Sequence, residues 1–424
     1  MSTLKMLSSV LVSTRQPAAV ATAFMLPLST TGQAVCVSIF LICALATLDT
    51  AALLATTRRL AGLLPVLLFS LLCLGLLWTP ESVAFSIKWI SPYAKLLLIP
   101  VLLASRFSTR QVIQIGSGFV AACTILLMLS WASFIWPGDL WNWFKSPGVP
   151  FKDNAVQSGF FALCAFGMAN GAVRLWSEGK KRGAVLAIAL AILFFTDIFL
   201  IFISKTGVLI CLALLILFLS RLDRRRYFVV APLLVVIGLA LWSSAPAQLR
   251  IKEFWTDIHT TDSAKESVST AARLDFWKKG VALVWAAPVL GHGTGSIKSL
   301  YAALETSAPS PYGEATPDPH NQFIGISLQL GLVGGLLLLA MWWVHFQMFR
   351  GHQLLNLFGQ AIVLQNVIGS AFNSHIATVS QGMLYCLAVG FLGSAIRSRQ
   401  DCTQVEASAR PPLAGGGVAF DLPA

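Results

Sequence analysis

Three side chains at the polar edges of apolar runs have the chemistry to activate a hydroxyl and hold an anion: His320, Arg273 and Lys205. His320 lies in PDPHNQFIGISLQLGLVGG, residues 317–335, after a long polar segment and at the head of an apolar one. Asp318 and Pro319 read as a helix start, with Asp318 capping the first amides and Pro319 in the first helical position. His320 then falls in the first turn, where the positive end of the helix dipole disfavours imidazolium. A neutral imidazole suits a general base, and the free N–H groups of the same helix end suit a phosphate. The alternative is an interfacial histidine that only hydrogen-bonds the loop. Further along, Gly325, Gly331, Gly334 and Gly335 read as close packing, and Gln329 as an interhelical hydrogen bonder.

Arg273 opens a second constellation, STAARLDFWKKGVALVWAAPVLGHGTGS, residues 269–296. Leu274, Trp277, Val281, Val284 and Trp285 fit the membrane-lying face of a helix capped by Thr270. Arg273 is one turn before Trp277 and can stack on its indole, which would hold the guanidinium for a bidentate phosphate. Pairing with Asp275, Glu266 or a lipid phosphate is the other reading. Gly291, Gly293 and Gly295 allow an anion-binding turn, a weak signal by spacing alone. Lys205, in Ser204-Lys205-Thr206-Gly207, either snorkels to headgroups or meets a substrate anion. Lys152, Asp153 and Asn154 offer a similar, weaker option. Lys95 and Asp197 lie inside apolar spans, where a structural ion pair or proton coupling in a transporter are the readings. No CxxC, HExxH or carboxylate cluster occurs, and His259 and His292 have no diagnostic metal spacing.

These residues need a scaffold, and the composition says which kind. The chain has 424 residues, 56% hydrophobic and only 11% charged, against about 25% charged in soluble domains. Apolar runs of near-span length recur, so the expected fold is all-α, a polytopic integral membrane protein of about twelve transmembrane helices. They fall near 8–28, 33–54, 60–78, 83–104, 111–136, 154–174, 183–203, 206–220, 227–243, 320–349, 354–373 and 378–396. The net charge of +12 reflects Lys and Arg in alternate loops instead of nucleic-acid binding, and this alternation puts both termini in the cytoplasm. The expected units are spans one to nine (1–243), a loop subdomain with short helices (244–319), spans ten to twelve (320–397) and a disordered cytoplasmic tail (398–424). The N-terminus reads as a retained first span, and the eight cysteines as small apolar residues with no disulfide framework.

Together the residues resemble the O-antigen ligase family of bacterial envelope glycosyltransferases, which includes related polymerases and protein O-oligosaccharyltransferases. The matching features are His320-Asn321 with Gly331 and Gly334, and the Arg273-led helix running into Pro288-Val289-Leu290-Gly291-His292-Gly293-Thr294-Gly295. The Ser-Lys-Thr-Gly turn and the late Asn373-Ser374 with Gln381-Gly382 match in position. The chain departs from the pattern with lysine at 205, where the family often has arginine, and glutamine at 329 and 381, where it often has glutamate. The resemblance implies metal-independent, inverting transfer of a glycan from undecaprenyl pyrophosphate to a sugar hydroxyl of lipid A–core, without a cofactor. The site would lie on the periplasmic face of the inner membrane, in a monomer whose partners are this donor, this acceptor and membrane lipids. His320 is then the base, Arg273 and Lys205 stabilise the departing diphosphate, and Asn321, Lys152 and Asn154 are substrate contacts. A polymerase or a protein O-oligosaccharyltransferase using the same donor is the alternative within the class, and a membrane transporter the alternative outside it.

Overall fold

A backbone that crosses hydrocarbon must satisfy its own N–H and C=O groups, so long apolar runs become helices. The computed structural model describes residues 2–201, 204–226, isolated positions between 228 and 252, 270–307, 316 and 318–409, and every long element among them is a helix. In order these are α1 (Ser2–Leu28), α2 (Thr30–Ala46), α3 (Thr50–Thr57), α4 (Leu60–Leu74), α5 (Val83–Ile90), α6 (Leu98–Ala104), α7 (Thr109–Ile135), α8 (Asn154–Ser177), α9 (Lys181–Leu200) and α10 (Lys205–Leu219). Then come α11 (Thr270–Ala286), α12 (Ile297–Ser307), α13 (Gln322–Met348), α14 (Leu354–Phe372) and α15 (Val379–Ala409).

Eight helical stretches among the described residues are long and apolar enough to cross a membrane, or nine if α2 and α3, bent by 105° to each other, are one span. Val185, Leu186, Ile192 and Leu193 stand exposed along α9, which a water-facing helix would not tolerate. The protein is a multi-pass membrane protein. The expected count of about twelve is not reached among the described residues. The expected second span is broken because Asp49 caps a new helix, accepting from the Ala51 amide. α10 has only 15 residues, about 22 Å at 1.5 Å per residue. Most of the ninth expected span, most of the loop from 244 to 269 (with Arg250, His259, Lys265 and Glu266), residues 308–315 and residues 410–424 lie outside the described residues. The tail differs from expectation: α15 continues to Ala409. Residues 400–409 are mostly helix-tolerant, and the first strong breaker is Pro411-Pro412.

Two cores form. The large one runs through the bundle, with Phe40, Leu68, Leu96, Phe160, Phe194 and Leu338 among its fully buried members. The small one lies under α11 and α12, where Ala272, Phe276, Leu283, Val284, Ile297 and Tyr301 close over Leu328 of α13. Between them, residues 288–295 form a strap. α13 breaks at Gly331 (φ 65°, ψ −170°), and the freed carbonyls of Leu328 and Gln329 accept from the His292 and Gly293 amides at 3.0 and 2.9 Å. Leu332 N–H in turn donates to the Pro288 carbonyl at 2.8 Å. A side chain at Gly331 would collide with the Val289 carbonyl and would also have to adopt a left-handed backbone. The strap's other edge is fixed to the end of α4 by Thr294, whose hydroxyl donates to the Leu72 carbonyl.

Candidate active site

The helix start at His320 is built one step later than the sequence suggests. Asn321, not Asp318, is the N-cap of α13, its Oδ1 accepting from the Ile324 amide at 3.1 Å. His320 therefore precedes the helix, with a left-handed backbone (φ 51°), which costs a non-glycine residue on the order of 1 kcal/mol. Asp318 holds it there by accepting from the His320 amide (2.8 Å) and from the Ser374 hydroxyl (2.7 Å). The first-turn dipole argument does not carry over to a residue outside the helix. The surroundings of the ring replace it: Nδ1 lies 3.0 Å from Asn373 Oδ1, and the Phe276 ring stacks alongside at 6.4 Å and 23°.

Asn321 was expected to touch substrate. Both halves of its amide are engaged in the fold, since Nδ2 donates to the Ala371 carbonyl at 3.0 Å. It joins the head of α13 to the end of α14.

Arg273 is half-buried on α11, one turn from Phe276. Its Nε is buried with no hydrogen-bond partner among the described residues, and the same holds for Trp277 Nε1. Burial lowers the Arg273 pKa, and the nearby Asp318 charge opposes that. The expected stack on Trp277 is replaced by packing of that indole on Phe372 at 5.9 Å. Lys279 bridges Asp275 (3.0 Å) and Glu305 (2.7 Å). The membrane-lying face is rotated from expectation: Leu274, Val281 and Trp285 are exposed, but Val284 is in the small core and Trp277 faces α14.

Lys205 is the exposed first residue of α10, after the Ser204 N-cap. Arg221, just past the other end of α10, donates to Gln360 near the start of α14. The two helices thus run antiparallel, and Lys205 shares an end of the bundle with Asn373. Lys152 is buried (6% exposed) ahead of α8; burial and then Lys145 lower its pKa, and Asp153 opposes them. Asn154 Oδ1 accepts from Ser146 at 2.8 Å. Gln381 donates to the Val156 carbonyl in the first turn of α8, which places Lys152 and Asn154 at the same end of the bundle. No hydrogen bond or ion pair described here joins either of them to His320.

Several weaker candidates resolve into structure. The amides of Gly291, Gly293 and Gly295 are satisfied by Ala287 O, Gln329 O and Gln329 Oε1, which leaves no anion nest. Gln381 accepts from Gln365 at 2.7 Å. Lys95 and Asp197 are not paired: Lys95 donates to the carbonyls of Ala377 and Thr378, and Asp197 is buried in α9. His292 contacts the Leu283 carbonyl through Nε2 at 2.9 Å.

Asn373 is the neighbour of His320 that the residue types alone did not point to. It lies 53 positions from His320 at the end of another helix, and the only sequence signal was its place in the late Asn-Ser motif. Residues 179–339 match the family model described as O-antigen ligase. Over that segment, less than half of its length, the chain is similar to the O-antigen ligase family. The O-antigen ligase match holds Lys205, Arg273 and His320, and leaves Lys152, Asn154 and Asn373 outside it. No curated protein matches the chain.

Proposed function

We propose that the protein is an O-antigen ligase, moving a glycan from undecaprenyl pyrophosphate to a sugar hydroxyl of lipid A–core at the periplasmic face of the inner membrane. The observation that supports this reading is the stacking of Phe276 against the half-buried His320 ring, with Arg273 one turn away on α11 and its buried Nε without an acceptor among the described residues. His320 Nε2 takes the acceptor hydroxyl proton as that oxygen bonds to the anomeric carbon. The bond from that carbon to the diphosphate oxygen breaks on the opposite side, inverting the centre. Arg273, with Lys205 at the same end, receives the charge that develops on the departing diphosphate. Lys152 and Asn154 are further substrate contacts in this reading.

The orientation rests on charge. Arg221, Arg397 and Arg399 bond to Gln360, Thr56 and Gln353, at the bundle end away from His320. By the positive-inside rule that end is cytoplasmic.

The test is deletion of the gene and electrophoresis of the lipopolysaccharide. A ligase mutant leaves bare core while lipid-linked polymer accumulates. A polymerase mutant still attaches a single repeat unit, and that pattern would reject the ligase reading. At the chemical step, His320→Ala should lower transfer by roughly 10²- to 10⁴-fold, the range general-base groups contribute. Transfer close to wild type would reject the base.

A further inference from the structure

We infer that Asn373 is a positioning residue that makes His320 a base, by holding the imidazole with its proton on Nδ1 and its lone pair on Nε2. This deepens the ligase reading and rests on His320 being the base in it. An amide oxygen accepts and cannot donate. The 3.0 Å contact from Asn373 Oδ1 therefore requires Nδ1–H, and the second nitrogen is left as the acceptor. The stacked Phe276 ring, itself 5% exposed, supports the imidazole in this orientation.

Asn373 can orient another residue because the connector it opens is tied down by hydrogen bonds at Ser374 and at Ile376 to Thr378. It ends α14 in an extended conformation (φ −158°, ψ 169°) and begins the connector to α15. Gln322, in the first turn of α13, accepts from the connector amides of Ile376 (3.0 Å) and Ala377 (3.3 Å). The other half of the Gln322 amide donates to the Tyr93 hydroxyl at 2.9 Å. Lys95, two residues on, donates to the carbonyls of Ala377 and Thr378, so the 3-10 stretch Ser91–Leu97 holds the connector from behind. Ser374 is tied to Asp318, which also fixes the His320 amide. The histidine and its orienting amide are thus anchored to one another through two further links.

The neutrality of the partner matters as much as its position. A carboxylate at 373 would also select Nδ1–H, but it would stabilise imidazolium and make the ring harder to return to its basic form. Among the described residues, the charged groups placed near the ring are Asp318 on its own segment and Arg273 from α11. His375 is on the connector, with Lys95 and Tyr93 behind it, and Tyr301 lies beyond Phe276. An amide completes this set without adding charge. In the reaction the proton leaves the acceptor oxygen for Nε2, the Nδ1–H bond to Asn373 is kept throughout, and the imidazolium then releases the Nε2 proton to solvent.

The test compares Asn373→Ala, Asn373→Asp and His320→Ala in the purified full chain, with a lipid-linked oligosaccharide donor and turnover followed from pH 5 to 9. Asn373→Ala should lower kcat at least about tenfold while donor KM stays within about twofold. Asn373→Asp should stay active and move the acid limb of the rate profile up by about one pH unit. The inference is overturned if Asn373→Ala keeps wild-type kcat, or if a folded Asn373→Asp leaves the acid limb where it was. Should Asn373→Asp not fold, kcat of Asn373→Ala decides alone. If His320→Ala retains transfer, the base reading fails. If His320→Ala is inactive and the Asn373 variants behave as wild type, only the role of Asn373 falls.

Discussion

Arg273 presents a buried Nε for which the described residues supply no acceptor. A hydrogen bond to a charged group contributes roughly 1.5–3 kcal/mol, so Arg273→Ala should raise donor KM by about 10- to 100-fold, read from initial rates against donor concentration. Arg273→Lys should recover little of this, because an ammonium keeps charge but loses the planar fork. An unchanged KM in both variants would remove Arg273 from the anion site. His375 makes a different residue-scale prediction. Burial pushes its imidazole from 6.5 down to about 4, so the folded protein favours the neutral form. That contribution is complete above pH 6.5 and is lost as pH falls toward 4, on the order of 3 kcal/mol in all. The Tm in detergent should therefore drop between pH 7.5 and 5, and His375→Gln should flatten the drop; an equal drop in the variant would reject the assignment. His320, Arg273 and Lys205 were legible in the sequence because a titratable or charged residue beside an apolar run is conspicuous. Asn373 and the cap role of Asn321 were not, because what an amide bonds to depends on helix ends brought together by folding.

At the scale of elements, the connector after α14 and the strap after α11 do the positioning, and each depends on a glycine. A methyl at Gly369 would overlap the buried His375 ring. Gly369→Ala should therefore displace the connector, lowering Tm and reducing transfer, with overpacking of this kind costing roughly 1–3 kcal/mol. Unchanged Tm and turnover would show that the ring has room to move. The helices themselves were readable from apolar runs; the Ser204 cap of α10 and the Asp153 cap of α8 are seen only in the fold. The face of α11 was misjudged because the helix serves two surfaces. Its 3.6-residue pattern is the overlay of an outward strip (Leu274, Val281, Trp285) and an inward one (Ala272, Phe276, Leu283). Periodicity alone cannot separate two apolar faces. The break in α13 was equally hidden: its glycines read as packing, and only the docked strap shows that Gly331 interrupts the helix.

For the whole molecule, the sequence identified an all-helical membrane protein but not how cleanly each run spans. Asp49 and the short α10 make the difference, because a cap or a few missing residues turn an apolar run into a bent or partial crossing. The proposed orientation predicts opposite accessibilities for the two ends. In spheroplasts, a cysteine replacing exposed Leu140, between α7 and α8, should react with an impermeant maleimide. One replacing Lys181, at the start of α9, should react only after lysis. The reverse pattern would invert the topology and put His320 on the wrong side for a periplasmic acceptor.

The small second core under α11 has a consequence for fidelity. Arg273 and Phe276 ride on the same helix turn, and that core has seven buried members among the described residues, one of them borrowed from α13. Small clusters of this kind open before a bundle does. In the proposed reaction, if α11 lifts, the ring beside His320 and the guanidinium assigned to the diphosphate depart in one motion. Water would then meet a centre already disarmed, and the energy-rich lipid-linked sugar would be spared hydrolysis until the arm is seated again.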